Sequence, residues 1–165
     1  MGAFAPDGTC TLDSAAVAYW KLEEASGARA DAIGANTLTD SNTVTVAAGR
    51  VGSAGQFVAA NSETLTSVDN AALSMGNIDF TLSAWVYLDT DPTDDRPFIF
   101  KGDAGVTALQ EYFLRYVGGA TDRFQFFMHN GVADSVNVAA NNFGAASTAA
   151  WHLVLGWYDA TADMA

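Results

Sequence analysis

Residues 79–88, DFTLSAWVYL, restrict the fold more than any other stretch, because apolar bulk alternates along them with a period of two. One face carries Phe80, Leu82, Ala84, Val86 and Leu88, and the other carries Thr81, Ser83, Trp85 and Tyr87. Successive side chains of a strand point to opposite faces, so this stretch is predicted to be a β-strand. Because both faces carry apolar side chains, we expect a central strand covered on both sides. We therefore expect Trp85→Ala to cost roughly 3 to 5 kcal/mol.

Shorter stretches of the same kind recur at a spacing of about ten residues, as in an antiparallel sandwich. The predicted strands are 17–22, 37–46, 63–68, 97–101, 111–117, 123–129, 132–139 and 151–158, and residues 69–75 are predicted to form a single helical turn. Gly, Asp and Asn punctuate the segments between them. With no long amphipathic helix, the pattern predicts an all-β fold, an antiparallel β-sandwich.

Charge and composition exclude several partner classes. The chain has 7 Lys plus Arg against 19 Asp plus Glu, a net charge of −12. Nucleic acids and anionic membrane surfaces attract basic proteins, so neither is expected as a partner. No apolar run approaches the roughly 20 residues of a membrane span, so no membrane insertion is expected.

The N-terminal region is predicted to lie outside the folded domain. We expect residues 1–14 to form a short arm, with a processing remnant as the alternative, and residues 15–165 to form one domain. The start of the chain has neither a basic nor an apolar region, so it is not predicted to be a signal peptide. Cys10 is the single cysteine, which excludes an internal disulfide and a cysteine-based zinc site. We interpret it as a free thiol, with an intermolecular bridge as the alternative.

The order of several segments resembles a known family. The segments are AYWKLEEASG at 18–27, DAIGANTLT at 31–39, GRVGSAGQFVAANSETLT at 49–66, DFTLSAWVYL at 79–88, FIFKGD at 98–103, EYFLRY at 111–116, RFQFFMHNG at 123–131 and WHLVLGWYDA at 151–160. Together they resemble a LamG-like (laminin G, concanavalin A-like) jelly-roll domain of bacterial or viral type. The resemblance implies two antiparallel sheets packed face to face, binding of carbohydrate or protein, adhesion, and often a structural calcium ion.

The resemblance also implies further strands after residue 160, whereas the chain stops at Ala165. We therefore expect the domain of residues 15–165 to be C-terminally incomplete. An unpaired strand edge can template another chain. We accordingly expect a strand-completing partner chain, a homo-oligomer, or poor solubility of the isolated chain.

No catalytic constellation is evident in the sequence. Glycanases with this type of fold need two carboxylates about 5 to 9 Å apart. The four glutamates are Glu23, Glu24, Glu63 and Glu111, and the adjacent pair would point to opposite faces of a strand. There is also no nucleophile elbow and no His-x-x-x-His pair. We expect the protein not to be an enzyme, and its turnover of polysaccharides to equal the buffer blank.

Calcium is the one cofactor that the resemblance implies. Asp103 and Glu111 flank a loop at the rim position where pentraxin relatives collect calcium ligands. The preceding ligand pair would fall on Leu109 and Gln110, and leucine cannot ligate a cation. This leaves Asp103 and Glu111 as the candidate metal ligands, and the alternative is that both are solvated acids in a turn.

A ligand surface is predicted on the strands that form the concave sheet of jelly rolls. The candidate ligand-binding residues are Tyr112, Arg115, Tyr116, Phe127 and His129, which combine aromatic rings with polar hydrogen-bonding groups. Trp20, Trp85 and Trp151 are instead expected in the core.

Two functions remain open from the sequence. The first is a non-catalytic binding or adhesion module that recognises a glycan or a protein surface. The second is a structural coat or decoration protein of a virion or cell surface, whose sandwich packs against neighbouring subunits. Either function would be extracellular, at a cell surface or on a virion.

Overall fold

The structure is a computed structural model that describes residues 16–103, 109–129, 135–142 and 144–161. It contains ten strands and two 3₁₀ turns, Ala59–Asn61 and Ala71–Leu73. The strands are β1 Thr39–Ser41, β2 Thr45–Ala48, β3 Ser53–Gln56, β4 Thr64–Thr66, β5 Phe80–Tyr87, β6 Arg96–Gly102, β7 Gln110–Val117, β8 Arg123–His129, β9 Ser135–Ala139 and β10 Trp151–Tyr158. They form two compact units, Met1–Leu73 and Ser74–Ala165. The predicted arm 1–14 and Cys10 lie outside the described residues.

The first unit contains two antiparallel pairs, β1 with β4 and β2 with β3. The single strand predicted over 37–46 is wrong, because Asn42 and Thr43 have φ of 65° and 69° and divide it into β1 and β2. Left-handed backbone cannot continue an extended strand. The prediction of a strand at 63–68 is confirmed by β4, and that of a helical turn in 69–75 by the second 3₁₀ turn.

The strand predicted at 17–22 is also wrong. Trp20 makes only an isolated bridge with Asp31, and Leu22 has φ of 59°. The N–H of Tyr19 donates to the Asp31 carboxylate at 2.9 Å rather than to a neighbouring strand. A side-chain carboxylate, rather than the backbone of a neighbouring strand, therefore accepts the hydrogen bond of the Tyr19 N–H.

The second unit is an antiparallel sandwich of two sheets. Strands β6, β7, β8 and β9 form a four-stranded sheet in that order, and β5 pairs with β10. The predictions for 79–88, 97–101, 111–117, 123–129 and 151–158 are confirmed by β5, β6, β7, β8 and β10. Of the strand predicted over 132–139, β9 confirms the second part, and residues 132–134 lie outside the described chain.

Apolar side chains from both sheets fill the space between them. The buried cluster consists of Leu82, Val86, Leu88, Tyr112, Leu114, Tyr116, Phe126, Met128, Val154 and Tyr158. At its centre, Gly156 of β10 lies directly against the ring of Phe126. The structure thus confirms the predicted all-β, antiparallel sandwich.

The opposite face of β5 corrects one prediction. Trp85 is 49% exposed, so this face of β5 is not covered in the described chain. The large cost expected for Trp85→Ala assumed a buried side chain and does not apply to this position. Trp20 and Trp151 are half-buried rather than in the core, and the ring centroid of Trp151 lies 5.3 Å from that of Tyr87.

Candidate functional site

Aromatic rings form a ladder across the four-stranded sheet, on the face turned away from the core. Phe100 of β6 pairs with Phe113 of β7, and Phe113 pairs with Phe127 of β8. The ring centroids of Phe113 and Phe127 are 4.5 Å apart, with an angle of 8° between the planes. Phe100 stacks on Phe113 at 6.4 Å, and His129 stacks on Phe127 at 6.4 Å. We call these four residues the aromatic ladder.

The ladder differs in accessibility along its length. Phe113 is only 6% exposed and Phe127 only 9%, although neither belongs to the core between the sheets. Phe100, at one end, is 37% exposed, and His129, at the other end, is half-buried. A ligand would therefore meet the ends of the ladder first.

Arg115 lies over the ladder with its guanidinium carbon 4.7 Å from the ring centroid of Phe113. Its Nε donates to Gln125 Oε1 at 2.5 Å, and its Nη1 donates to Asp95 Oδ2 at 2.6 Å. A cation over an aromatic face is attracted by the ring quadrupole. The carboxylate and amide fix the guanidinium plane, so Arg115 is held in position before any ligand arrives.

The predicted ligand residues divide between the two faces of the sheet. Arg115, Phe127 and His129 belong to the ladder face. Tyr112 and Tyr116 instead belong to the core, at 5% and 0% exposure, which corrects their grouping with the other three. Even and odd residues of β7 face opposite sides, which is why they separate.

The two core tyrosines have perturbed acidity. Burial, followed by the hydrogen bond that its hydroxyl donates to Asp91 Oδ1 at 3.1 Å, raises the pKa of Tyr116 to about 12. Burial, followed by the charge of Glu111, raises the pKa of Tyr112 to about 12. Both phenols therefore stay neutral and serve packing rather than ligand contact.

Sequence reasoning missed Phe100, Phe113, Gln125 and Asp95. Phe113 could have been found from the period of two, because it shares the parity of Arg115 along β7. Phe100 depends on the register of β6 against β7, which contains two irregular steps. Asp95 lies before β6, and no local sequence pattern links it to Arg115.

The predicted metal ligands do not fit a cation site. Glu111 Oε1 lies 3.1 Å from Lys101 Nζ and also accepts a bond from Ser74 Oγ at 3.4 Å. Asp103 is exposed, and its N–H donates to the carbonyl of Leu109 at 3.2 Å. Among the residues that the structure describes, no three His, Cys, Asp or Glu side chains gather in a metal-binding group. Calcium stays a prediction of the resemblance, and the ion pair of Glu111 with Lys101 opposes it.

The other three glutamates are engaged in the first unit. Glu23 Oε2 accepts from the N–H of Ser53 at 3.0 Å, and Glu24 Oε1 accepts from Ala30 at 2.8 Å. Both oxygens of Glu63 are used, by the N–H of Val58 and by Asn61 Nδ2. The bond from Ala30 holds the pKa of Glu24 below its usual value. A general acid needs the opposite shift.

Asp31 organises the polar centre of the first unit. Burial alone would raise its pKa, but the N–H groups of Tyr19, Gly34 and Ile33 and the side chain of Asn36 outweigh burial and hold the pKa well below its usual value. Asn36 is 4% exposed, and its side chain donates to Asp31 at 3.0 Å and accepts from Asn70 at 2.7 Å. A cleft of about 440 Å³ opens beside Asn36 and Asn70, but the amide groups of Asn36 are used internally.

The family model described as the concanavalin A-like lectin/glucanases superfamily matches residues 53–164, more than half of the chain. This range includes the whole aromatic ladder. No curated protein and no solved structure matches the chain. Within the described residues, no helix has the length and apolar character that crossing a membrane requires.

Proposed function

The chain belongs to the concanavalin A-like lectin/glucanases superfamily, and on that premise we propose that it is a non-catalytic binding module whose ligand surface is the aromatic ladder. Family membership indicates a binding module in general. The ladder and its charges favour a neutral glycan as the ligand.

The main support for this proposal is the stack of aromatic rings with the guanidinium of Arg115 fixed above it. The rings are those of Phe100, Phe113 and Phe127. The C–H groups of a sugar ring carry slight positive charge and pack against the electron-rich face of an aromatic ring. Of the three rings, Phe100 is exposed enough for this contact, while the buried Phe113 stacks on it. A fixed guanidinium offers N–H donors to sugar hydroxyls. An apolar floor with a few placed polar groups is typical of small-ligand sites.

Charge favours a neutral glycan over an acidic one. Asp95 lies 2.6 Å from the guanidinium of Arg115 and balances its charge locally. The whole chain carries −12, which repels polyanions such as uronic-acid or sulfated polymers. A neutral polysaccharide needs no free positive charge at Arg115 and is not repelled by the net charge of the chain.

A binding role without catalysis is supported by the glutamates. Each of the four accepts a hydrogen bond or ion pair that holds a turn or a strand end in place. A glycosidase pair would need two carboxyls flanking one bond, one of them with a raised pKa. The arrangement therefore favours recognition over hydrolysis.

The test is calorimetric titration with neutral and anionic polysaccharides, each with calcium and with EDTA. Phe100→Ala is expected to weaken binding of a neutral polysaccharide about tenfold, or about 1.4 kcal/mol. The matched control is Val68→Ala, which truncates an apolar side chain 86% exposed in the first unit. Loss of binding in EDTA would support calcium. Absence of binding to every polysaccharide would overturn the glycan assignment.

A second candidate function is a coat or decoration protein of a virion or cell surface. The observation that favours it is an exposed apolar face on the β5–β10 sheet, which includes Trp85, Leu155 and Trp157. Surfaces of this kind mark protein contacts. Under either function the protein would act outside the cell, at a cell surface or on a virion.

A further inference from the structure

We propose that the outer face of the β5–β10 sheet is a docking surface for a second copy of this chain. The surface, called here the tryptophan face, consists of Thr81, Ser83, Trp85, Tyr87, Trp151, Leu153, Leu155 and Trp157. It belongs entirely to the second unit and lies on the opposite side of the sheet from the core residues Leu82, Val86 and Val154. The proposal stands independently of the aromatic ladder and its ligand.

The tryptophan face is exposed, apolar and uncharged. Trp85, Tyr87, Leu153, Leu155 and Trp157 are each between 42% and 55% exposed. Scattered apolar residues are ordinary on protein surfaces, but a contiguous set on one sheet face marks an interaction site. None of its eight side chains is charged, in a chain whose net charge is −12. Two copies could therefore meet here without burying a charge.

The strand register makes the β5 half of this face complementary to itself in side-chain size. The strand register puts Ser83 beside Leu155 and Trp85 beside Leu153 in adjacent rows. The outer rows pair Thr81 with Trp157 and Tyr87 with Trp151. A two-fold axis that runs across the strands, between the two middle rows, gives an isologous interface. Each middle row then meets the other middle row of the second copy, and each outer row meets the other outer row.

Under that symmetry, small side chains oppose large ones along β5, and apolar side chains of similar size oppose each other along β10. Ser83 meets Trp85 of the second copy, and Thr81 meets Tyr87 of the second copy. On the other strand, Leu155 meets Leu153, and Trp157 meets Trp151. Facing sheets pack about 10 Å apart, and this spacing is filled best when large and small residues interdigitate.

The exposed area suits a dimer of modest affinity. A half-exposed aromatic side chain contributes on the order of 100 Å². The five exposed residues then offer roughly 500 Å² per copy, or about 1,000 Å² in total, at the lower limit for a specific interface. Repulsion between two copies of charge −12 opposes association and is screened by salt. Dimerisation should therefore strengthen with salt, whereas docking of a basic partner would weaken.

Sedimentation equilibrium of the full chain tests the proposal at several concentrations and at low and high salt. The wild type is expected to approach twice the monomer mass as concentration and salt rise. Leu155→Asp brings carboxylates into the contact and should weaken the dimer at least tenfold. Val68→Asp, at an exposed position in the first unit, is the matched control and should leave it unchanged.

An exchange of sizes tests the symmetry itself. Ser83→Trp puts a large side chain against Trp85 of the second copy, where the wild type has a serine, and should weaken the dimer. S83W combined with W85S restores one large and one small partner in that row and should recover the dimer. A monomer at every concentration and salt level overturns the proposal, even if a polysaccharide binds and shifts the tryptophan fluorescence. A dimer that survives Leu155→Asp is joined elsewhere, for example edge to edge, and also overturns it.

Discussion

Gly156 provides the sharpest test of how the two sheets of the second unit pack. A Cβ built at position 156 would lie 2.5 Å from Cδ2, 2.6 Å from Cγ and 2.8 Å from Cβ of Phe126. Carbon atoms without a bond between them prefer about 3.5 to 4.0 Å. Rotation of the ring cannot relieve the clash, because Cβ of Phe126 does not move with it. The sheets must therefore separate locally in Gly156→Ala.

The expected cost follows from two opposing effects. Overpacking a well-filled core costs about 1 to 3 kcal/mol. Replacing glycine by alanine in a strand returns roughly 0.5 to 1 kcal/mol by reducing the entropy of the unfolded chain. We expect Gly156→Ala to lower the free energy of unfolding by about 1 to 2 kcal/mol.

Urea unfolding followed by tryptophan fluorescence measures this change, since three of the four tryptophans lie in the second unit. The midpoint should fall while the slope stays constant. Ser83→Ala, on the exposed face of β5, is the control, measured at low protein concentration and expected to change stability by less than about 0.5 kcal/mol.

A double-mutant cycle with Phe126→Ala separates the clash from a general weakness of β10. Removing the ring takes away the two shortest contacts, to Cδ2 and Cγ, and leaves only the contact to Cβ, so the double variant should be more stable than the sum of the single effects by about 1 kcal/mol. Additive effects, or a Gly156→Ala midpoint equal to that of wild type, would refute the close contact between Gly156 and Phe126.

Three further outcomes are expected. The pKa of Tyr112 and that of Tyr116 are both raised to about 12, so the stability that the two phenols contribute is fully present below pH 10 and is lost between about pH 10 and 12. Urea midpoints across this range measure the loss, and Tyr116→Phe should make it smaller. Because the pKa of Asp31 is lowered, the stability that its carboxylate contributes is present at pH values above its ordinary pKa and is lost as the pH falls below it. Asp31→Asn should remove this acid dependence and should reduce amide protection in the first unit at pH 7, an effect of about 1 to 3 kcal/mol. Trp85→Ala, in dilute solution, should change the free energy of unfolding by less than about 1 kcal/mol in urea unfolding, and a cost of 3 kcal/mol or more would show that the side chain is buried.

Local pattern was sufficient for the strands of the second unit. The period of two predicted β10 with the bounds that the structure has, and it predicted β5 to within one residue at each end. In the first unit the same reasoning failed at 17–22 and 37–46, where positive φ at Leu22, Asn42 and Thr43 interrupts the extended backbone. None of these three is glycine, and only Asn42 is of a type that often adopts left-handed backbone, so residue type gives no sign of the interruptions at Leu22 and Thr43.

What the sequence determined by itself was the strands of the second unit, the all-β class and the absence of a recognisable catalytic motif, because these depend on local periodicity and residue type. Which face of each strand is buried was decided only by the tertiary structure. Both faces of β7 carry aromatic side chains, so its pattern alone does not separate the core residue Tyr112 from the ladder residue Phe113. Likewise, both faces of β5 and β10 are apolar, and only packing against β7 and β8 buries one of them and leaves Trp85 exposed. Burial is a property of the partner surface, and a strand's own residues do not specify it when both its faces are hydrophobic.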